Sequence, residues 1–208
     1  MQIFHFIKKI LLFLKKKLYI IKYNEYTISE YFRKQGALIG NDCFISITTL
    51  AAEPYLVKIG NHVGIASGVR LLTHNLGWSF RDKIPDLQVF GKIVIEDNCN
   101  IGVNAIILPN VTIGINSVVA AGSIVVHDIP PNSVAAGVPA KVICTTNEYF
   151  ERAKKIWEQQ KPLGYMPELE RGKYYSPIYM DSLRKKTTNS TLLRKHLTSL
   201  FWGERGNK

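Results

Sequence analysis

The side chain best suited to chemistry at neutral pH is His74, in the stretch "LLTHNLGW". A neutral imidazole has a reference pKa of ~6.5 and can accept a proton from a hydroxyl group, which is the task of a general base. Such a base usually has a second group that orients it, and Glu53 can do so if its loop converges with that of His74. The alternatives are an ordinary polar loop histidine and a glutamate that faces water.

The other histidines and the cysteines offer weaker chemistry. His62 and His127 stand at corners of a repeat, where exposure to solvent explains them. A zinc site shared between subunits takes two histidines from one short segment, and no pair here is so spaced, so we expect no metal. The three cysteines, Cys43, Cys99 and Cys144, lack metal spacing, and we interpret them as packing residues of a protein in a reducing compartment.

The element that must position His74 follows a repeat of six residues. In "IEDNCNIGVNAIILPNVTIGINSVVAAGSIVV" (95–126), aliphatic residues recur at Ile95, Ile101, Ile107, Ile113, Val119 and Val125. A helix repeats about every 3.6 residues and a strand about every 2, whereas a chain that turns a corner after each short strand repeats every six. The pattern therefore predicts a parallel β-helix, a solenoid of short strands.

The repeat extends back to residue 37 and is interrupted twice. The segment 48–58 shifts the register, and the segment 73–92 leaves it altogether. Insertions in a repeat protein form loops, and loops often carry function. We therefore predict three regions: a basic amphipathic N-terminal helical segment (1–36), a β-helix domain (37–146) with an insertion loop (73–92), and a C-terminal helix with a basic extension (147–208).

The net charge of +11 is concentrated near the two ends of the chain. Because the repeat region is nearly neutral, this distribution favours contact with acidic surfaces over nucleic-acid binding. The first 22 residues have no apolar run near the ~18 residues of a membrane span, but their lysines and aliphatic residues separate onto different faces of a helix. Such a helix either lies on an anionic membrane or packs against protein. We expect a cytoplasmic protein, at the inner face of the membrane in the first case.

Three stretches of the sequence carry a resemblance to a known family. The repeats, "LLTHNLGWSFRDK" and above all "AAGSIVVHDIPPNSVAAGVPAKVI" closely resemble the hexapeptide-repeat acyltransferases, which include galactoside, maltose and streptogramin acetyltransferases. The stretch "EPYLVKIGNHVGIASGVRLLTHN" looks most like the branch that O-acetylates bacterial capsular polysaccharide and O-antigen. The resemblance covers about residues 37–160. It implies a left-handed parallel β-helix, a homotrimer, and active sites in the clefts between subunits.

The resemblance also implies roles for particular residues. His74 matches the general base of the family, and acetyl-CoA is the implied donor. The backbone at Val103 and Ala121 matches positions that bind the pantetheine arm, and Lys141 matches a basic residue near the nucleotide phosphates. A lysine suits that place because its ammonium group is a compact positive charge, although a solvated surface lysine is the alternative.

The chain departs from the family pattern in two places. Many relatives carry an aspartate directly after the histidine, where this chain has Asn75. An aspartate there would favour imidazolium, so Asn75 either tunes the base differently or is structural. The upstream asparagine that holds the acceptor sugar in galactoside-type enzymes has no clear equivalent. Trp78, Phe80 and Arg81 are candidates instead, since aromatic rings stack on sugars and arginine donates to hydroxyls; alternatively, an aromatic residue pins the loop.

Taken together, these features predict an acetyl-CoA-dependent O-acetyltransferase. Its acceptor would be a hydroxyl of a bacterial surface polysaccharide, capsule or O-antigen, in a direct transfer with His74 as base. An N-acetyltransferase of an amino sugar nucleotide would use the same fold and the same base. A non-catalytic trimeric scaffold that recruits partners through its basic tails is the alternative from another class.

Overall fold

The computed structural model describes residues 22–160 and 195–201. The chain divides after Thr146 into two compact units. The described part of the first contains helix α1 (Ile28–Lys34) and all the strands. The second holds nearly all of helix α2 (Thr146–Gln160), close to the helix predicted after residue 147, and residues 195–201 are also helical. The expected membrane-binding helix lies outside the described residues, except for Lys22.

Most of the strands are only two or three residues long. They are β1 (Leu38–Ile39), β2 (Phe44–Ile45), β3 (Val57–Ile59), β4 (Gly64–Ile65), β5 (Arg70–Leu71), β6 (His74–Leu76), β7 (Gln88–Phe90), β8 (Ile93–Ile95), β9 (Asn100–Ile101), β10 (Ile106–Ile107), β11 (Thr112–Ile113), β12 (Val118–Val119), β13 (Ile124–Val125), β14 (Ser133–Gly137) and β15 (Ala140–Thr145). Three sheets form the walls of a solenoid. Face A contains β1-β3-β8-β11, face B contains β2-β4-β9-β12-β14-β15, and face C contains β5-β10-β13.

Successive coils pair in parallel, which explains the repeat of six. Ile95 pairs with Ile113 on face A, Ile101 with Val119 on face B, and Ile107 with Val125 on face C, each 18 residues apart. One coil therefore consists of three hexapeptides, one for each face. The aliphatic residue of every hexapeptide points inward, and these six side chains are all fully buried. The predicted parallel β-helix is confirmed.

Small and β-branched side chains fill the second inward position of the repeat. Cys43 and Cys99 are buried there, with their thiols against the carbonyl oxygens of Gly60 and Gly114 at 3.3 and 3.1 Å. Burial raises the pKa of both thiols, because a thiolate loses its hydration inside the solenoid. These two cysteines are therefore packing residues rather than nucleophiles, and Cys144 is only partly buried.

The corner between faces A and B is held by a ladder of side chains. His62, Asn98, Asn116 and Asn132 all have positive φ, between 55° and 58°. Asparagine tolerates this left-handed conformation better than most residues. Each side chain bonds to the next: His62 Nδ1 lies 2.8 Å from Asn98 Oδ1, and amide donors continue the ladder to Asn116 and Asn132 at 2.8 and 2.9 Å. His62 is exposed at this corner, as the repeat predicted, and it has a structural task there.

The two interruptions of the repeat lie between strands of the solenoid. The first contains a single 3₁₀ turn at Pro54–Leu56. The second projects as the antiparallel hairpin β6–β7, with another 3₁₀ turn at Trp78–Phe80 between its strands. After the last coil, β15 folds back antiparallel on β14 at the end of face B. In the described part of the chain, none of the helices is long and apolar enough to cross a membrane.

Candidate active site

His74 is the first residue of β6, at the point where the chain leaves face C. The residue before it, Thr73, is only 1% exposed and belongs to the wall of the solenoid. When the chain returns, the N–H of Gly91 donates to the Thr73 carbonyl oxygen at 2.9 Å and closes the base of the hairpin. The backbone that carries His74 is thus fixed to a coil at both ends of the insertion.

Glu53 approaches His74 from the other interruption of the repeat. Its Oε2 lies 2.9 Å from His74 Nδ1, and the two side chains are 16% and 31% exposed. A carboxylate can only accept hydrogen bonds, so His74 Nδ1 must carry the proton that is donated to it. The other ring nitrogen, Nε2, makes no hydrogen bond to any described residue. The contact therefore fixes the orientation of the ring through Nδ1 and leaves Nε2 as the nitrogen open to a ligand.

Thr73 joins the same hydrogen-bond network. Its hydroxyl donates to Glu53 Oε2 at 2.5 Å and accepts the backbone N–H of Glu53 at 3.3 Å. One carboxylate oxygen thus receives bonds from both Thr73 and His74. Sequence reasoning did not single out Thr73, because a threonine before a histidine has no distinctive spacing. Its burial, with 1% of its surface exposed, appears only in the structure.

The electrostatics of this network keep Glu53 ionised. Partial burial raises the pKa of its carboxyl group, but the hydrogen bonds from Thr73 and His74 and the charge on His74 together outweigh that cost. The pKa of Glu53 is therefore lower than its ordinary value of 4.5. At neutral pH the carboxylate is charged, which is the state that holds a donor at His74 Nδ1.

Phe90 is the next side chain beside the imidazole. It lies opposite His74 in the register of β6 and β7, and the two ring centroids are 5.9 Å apart with their planes inclined by 57°. Phe90 is 47% exposed in the single chain. Sequence reasoning missed it because the register of the hairpin cannot be read from an insertion that has no repeat.

The remaining residues expected near His74 lie along the hairpin. Asn75 is exposed and pairs with Val89, so alternation along the strand turns its side chain away from the face that His74 occupies. Phe80 and Arg81 are exposed in and after the 3₁₀ turn. The side chain of Trp78 lies outside the described part of the structure. Glu53 is thus the expected partner that the structure brings to His74.

The residues expected to bind acetyl-CoA occupy a different corner. Val103 and Ala121 follow β9 and β12 at the turn from face B to face C, one coil apart, and both are exposed. Their backbone N–H groups make no hydrogen bond within the described residues, so they are free to donate to an amide-rich ligand. Lys141 is exposed on β15, opposite Ala136. Face C separates this corner from His74, which follows its far end.

Comparison with known families identifies the repeat. A family model described as the hexapeptide repeat of succinyl-transferase matches residues 92–126. The chain is 44% identical over 154 residues to Protein CapG of Staphylococcus aureus, covering 72% of this chain and 90% of that protein. It is 43% identical over 112 residues to galactoside O-acetyltransferase of Escherichia coli, covering 53% of this chain and 54% of that enzyme. The chain thus spans nearly all of the first relative and about half of the second.

Solved structures agree with this likeness. A hexapeptide-repeat acetyltransferase from Vibrio cholerae matches with a TM-score of 0.52 and 27% identity, covering 63% of this chain and 86% of that one. A galactoside acetyltransferase in complex with coenzyme A matches with a TM-score of 0.51 and 28% identity, covering 66% and 82% of the two chains. The predicted fold class, a left-handed parallel β-helix, is confirmed by these likenesses.

The lowered pKa of Glu53 predicts how the stability of the site depends on pH. A group whose pKa is lower in the folded chain stabilises it fully above its unfolded pKa, and this contribution is lost as pH falls through the folded pKa. Glu53→Gln should therefore reduce the free energy of unfolding by about 1–3 kcal/mol at pH 7, since hydrogen bonds to a charged group are lost. We expect the difference from wild type to shrink below about pH 4.5.

Urea denaturation at pH 7, 5 and 3.5 measures this difference. Thr73→Val is the companion variant: it removes a donor to the carboxylate, so it should raise the pKa of Glu53 and move the acid loss of stability to higher pH. A difference between wild type and Glu53→Gln that stays constant over the whole range would contradict the assignment.

Proposed function

The chain belongs to the hexapeptide-repeat acetyltransferase family, and we propose that it transfers an acetyl group from acetyl-CoA to a hydroxyl of a bacterial surface polysaccharide, with His74 as the general base. The observation that carries the proposal is the 2.9 Å contact between His74 Nδ1 and Glu53 Oε2, which orients the imidazole and leaves Nε2 without a hydrogen-bond partner among the described residues. Acetyl-CoA as the donor agrees with relatives that are named acetyltransferases, one of them solved with coenzyme A.

The residues assigned to acetyl-CoA fit such a ligand. Val103 and Ala121 offer unpaired backbone N–H groups at an exposed corner, which suits the amide carbonyls of a pantetheine arm. Lys141 supplies a positive charge in the same unit of the chain for the phosphates. When bound, acetyl-CoA supplies the thioester carbonyl that an acceptor oxygen can attack.

In the proposed mechanism, His74 accepts the proton of the acceptor hydroxyl and later donates it to the leaving group. Nε2 removes the proton from the acceptor hydroxyl as its oxygen attacks, so the imidazole becomes an imidazolium. The Glu53 carboxylate, 2.9 Å from Nδ1, stabilises that positive charge, and Thr73 holds the carboxylate in place. Nε2 then returns the proton to the departing sulfur. Nothing on this chain needs to be acylated along the way, so the transfer is direct.

The proposed acceptor is a sugar hydroxyl of capsular polysaccharide or O-antigen. Its support is the resemblance of "EPYLVKIGNHVGIASGVRLLTHN", which contains both Glu53 and His74, to the branch that acts on such polymers. The names of the galactoside O-acetyltransferases among the relatives point to the same chemistry, an ester formed on a sugar hydroxyl.

Removing the base should abolish turnover and spare donor binding. We expect His74→Ala to lower kcat by about 10²–10⁴-fold, the usual value of general-base assistance, with the Kd for acetyl-CoA unchanged. CoA thiol release is measured against a panel of de-O-acetylated capsular polysaccharides with their lipid-linked and nucleotide precursors, and acetyl-CoA binding by calorimetry. His127→Ala, which changes an exposed histidine at a corner of a later coil, is the control.

The outcomes of this assay separate the proposal from its rivals. Thiol release with one acceptor that collapses in His74→Ala supports the proposal and identifies the acceptor. An acetylated product that resists mild alkali would be an amide, and the chain would be an N-acetyltransferase. Acetyl-CoA binding without turnover for any acceptor would reject the polysaccharide, and no binding would favour the non-catalytic scaffold. An equal loss of binding in His74→Ala would reject the histidine as base.

We also propose that the chain works as a homotrimer with sites between subunits. Val103 and Ala121 lie at one corner of the solenoid, and His74 follows the far end of face C. A donor held at that corner therefore meets a base more readily on a neighbouring copy than on its own chain. Closed cyclic symmetry gives every copy the same two half-sites.

Subunit mixing tests this arrangement. His74→Ala lacks the base and Ala121→Trp fills the donor corner, so each variant alone should be inactive. If one site takes its base and its donor corner from two chains, each mixed cyclic trimer holds one complete site in three, so the purified mixed trimers should recover about a third of wild-type activity. The mixture is made by co-expression with two different tags and assayed after tandem purification. No recovery in mixed trimers would mean that each site lies within one chain.

The proposed location is the inner face of the cytoplasmic membrane, with the first 22 residues as the contact. Its support is the segregation of lysines from aliphatic residues on a helical projection of this segment. Deleting residues 1–22 should abolish co-sedimentation with anionic phosphatidylglycerol vesicles, and added salt should weaken the binding of the intact chain. Neutral phosphatidylcholine vesicles are the control. Equal sedimentation of the two proteins would reject the proposal.

A further inference from the structure

One face of the β6–β7 hairpin presents an aromatic ring and an amide beside the base. Phe90 lies directly opposite His74, so the two side chains share a face of the hairpin. Gln88, two residues before Phe90, lies on the same face by the alternation of a strand. The His74 and Phe90 rings are in contact, with centroids 5.9 Å apart.

Neither the Phe90 nor the Gln88 side chain is fully engaged in contacts within the chain. Phe90 is 47% exposed in the single chain, whereas a ring that served only to pin the hairpin would bury most of its surface against the solenoid. Gln88 is exposed, and its amide makes no hydrogen bond to any described residue. About 7 Å of strand separates the two positions, so a single small ligand can contact both.

We propose that Phe90 and Gln88 form the acceptor subsite, in which the apolar face of a pyranose ring packs on Phe90 while hydroxyls bond to the Gln88 amide. This inference rests on the proposed function. A sugar has an apolar face of C–H groups and a rim of hydroxyls, which matches a half-exposed ring next to a free amide. A pyranose held on Phe90 brings one hydroxyl to the imidazole at its edge, so the subsite selects both the sugar and the position acetylated.

The strand supplies its own control. Val89 stands between the two proposed residues, is 53% exposed and faces the other side of the hairpin, opposite Asn75. Removing its side chain alters the same strand without touching the proposed subsite. Phe90→Trp retains an aromatic face and tests whether stacking, rather than phenylalanine itself, is what matters.

Steady-state kinetics with the acceptor found in the panel provide the test. Phe90→Ala should raise the KM for the acceptor about 5–10-fold with the KM for acetyl-CoA unchanged, and Gln88→Ala should raise the former by about 2–10-fold. Phe90→Trp and Val89→Ala should stay close to wild type. Circular dichroism verifies the fold of each variant, and Phe90→Leu replaces Phe90→Ala if the latter does not fold.

Several results would overturn the subsite. One is an acceptor KM that does not change in Phe90→Ala. Another is a higher KM for acetyl-CoA, which would place Phe90 against the donor. A third is a lower kcat with a shifted pH profile at constant KM, which would make Phe90 only a positioning residue for His74.

A binding experiment keeps this inference separate from the proposed function. If wild type acetylates no member of the panel, the proposed function fails. Saturation-transfer NMR with methyl β-galactopyranoside then decides the subsite alone. Transfer to the sugar C–H protons that is present in wild type and Val89→Ala but lost in Phe90→Ala would support it. Equal transfer in all three proteins, or none in wild type, would overturn it.

Discussion

Parallel pairing between coils 18 residues apart is the constraint on which the remaining structure depends. Each coil must present one aliphatic side chain per face to a narrow interior, and any residue added to a coil must leave the wall. An inserted segment therefore cannot be absorbed by the core. It projects from the wall, and the residues at its base keep the geometry of the coil. His74 gains its fixed position in this way, because Thr73 before it and Gly91 after it are joined across the neck of the insertion.

The two interruptions bring their side chains together because both project from the same region of the solenoid. Glu53 comes from the first and His74 from the second, and their contact spans 21 residues of sequence. Thr73 links them as part of the wall: its hydroxyl holds the carboxylate and also accepts the N–H of Glu53. The position of the imidazole is therefore set by the rigid coil rather than by a long loop. Such rigidity suits the proposed role of His74, since a general base must meet a hydroxyl within hydrogen-bond distance.

The solenoid could be predicted from the sequence because neither a helix nor a flat strand repeats every six residues, and the six aliphatic residues spaced by six from Ile95 to Val125 proved buried. The contact of Glu53 with His74 was predicted only on the condition that two loops converge, since a repeat pattern gives no information about the segments that interrupt it. Phe90 and Gln88 went unnoticed for the same reason: their place beside His74 depends on a hairpin register that no periodicity records. The asparagine ladder was equally hidden, because its bonds run between coils.

The chemistry of the site follows from one carboxylate oxygen with two donors. Thr73 and His74 both bond to Glu53 Oε2, and together they lower the pKa of that carboxyl group below 4.5 despite its partial burial. The threonine hydroxyl thus does more than fix a loop. It holds in place the carboxylate that bonds to Nδ1 of His74, so that Nε2 is the ring nitrogen without a partner among the described residues.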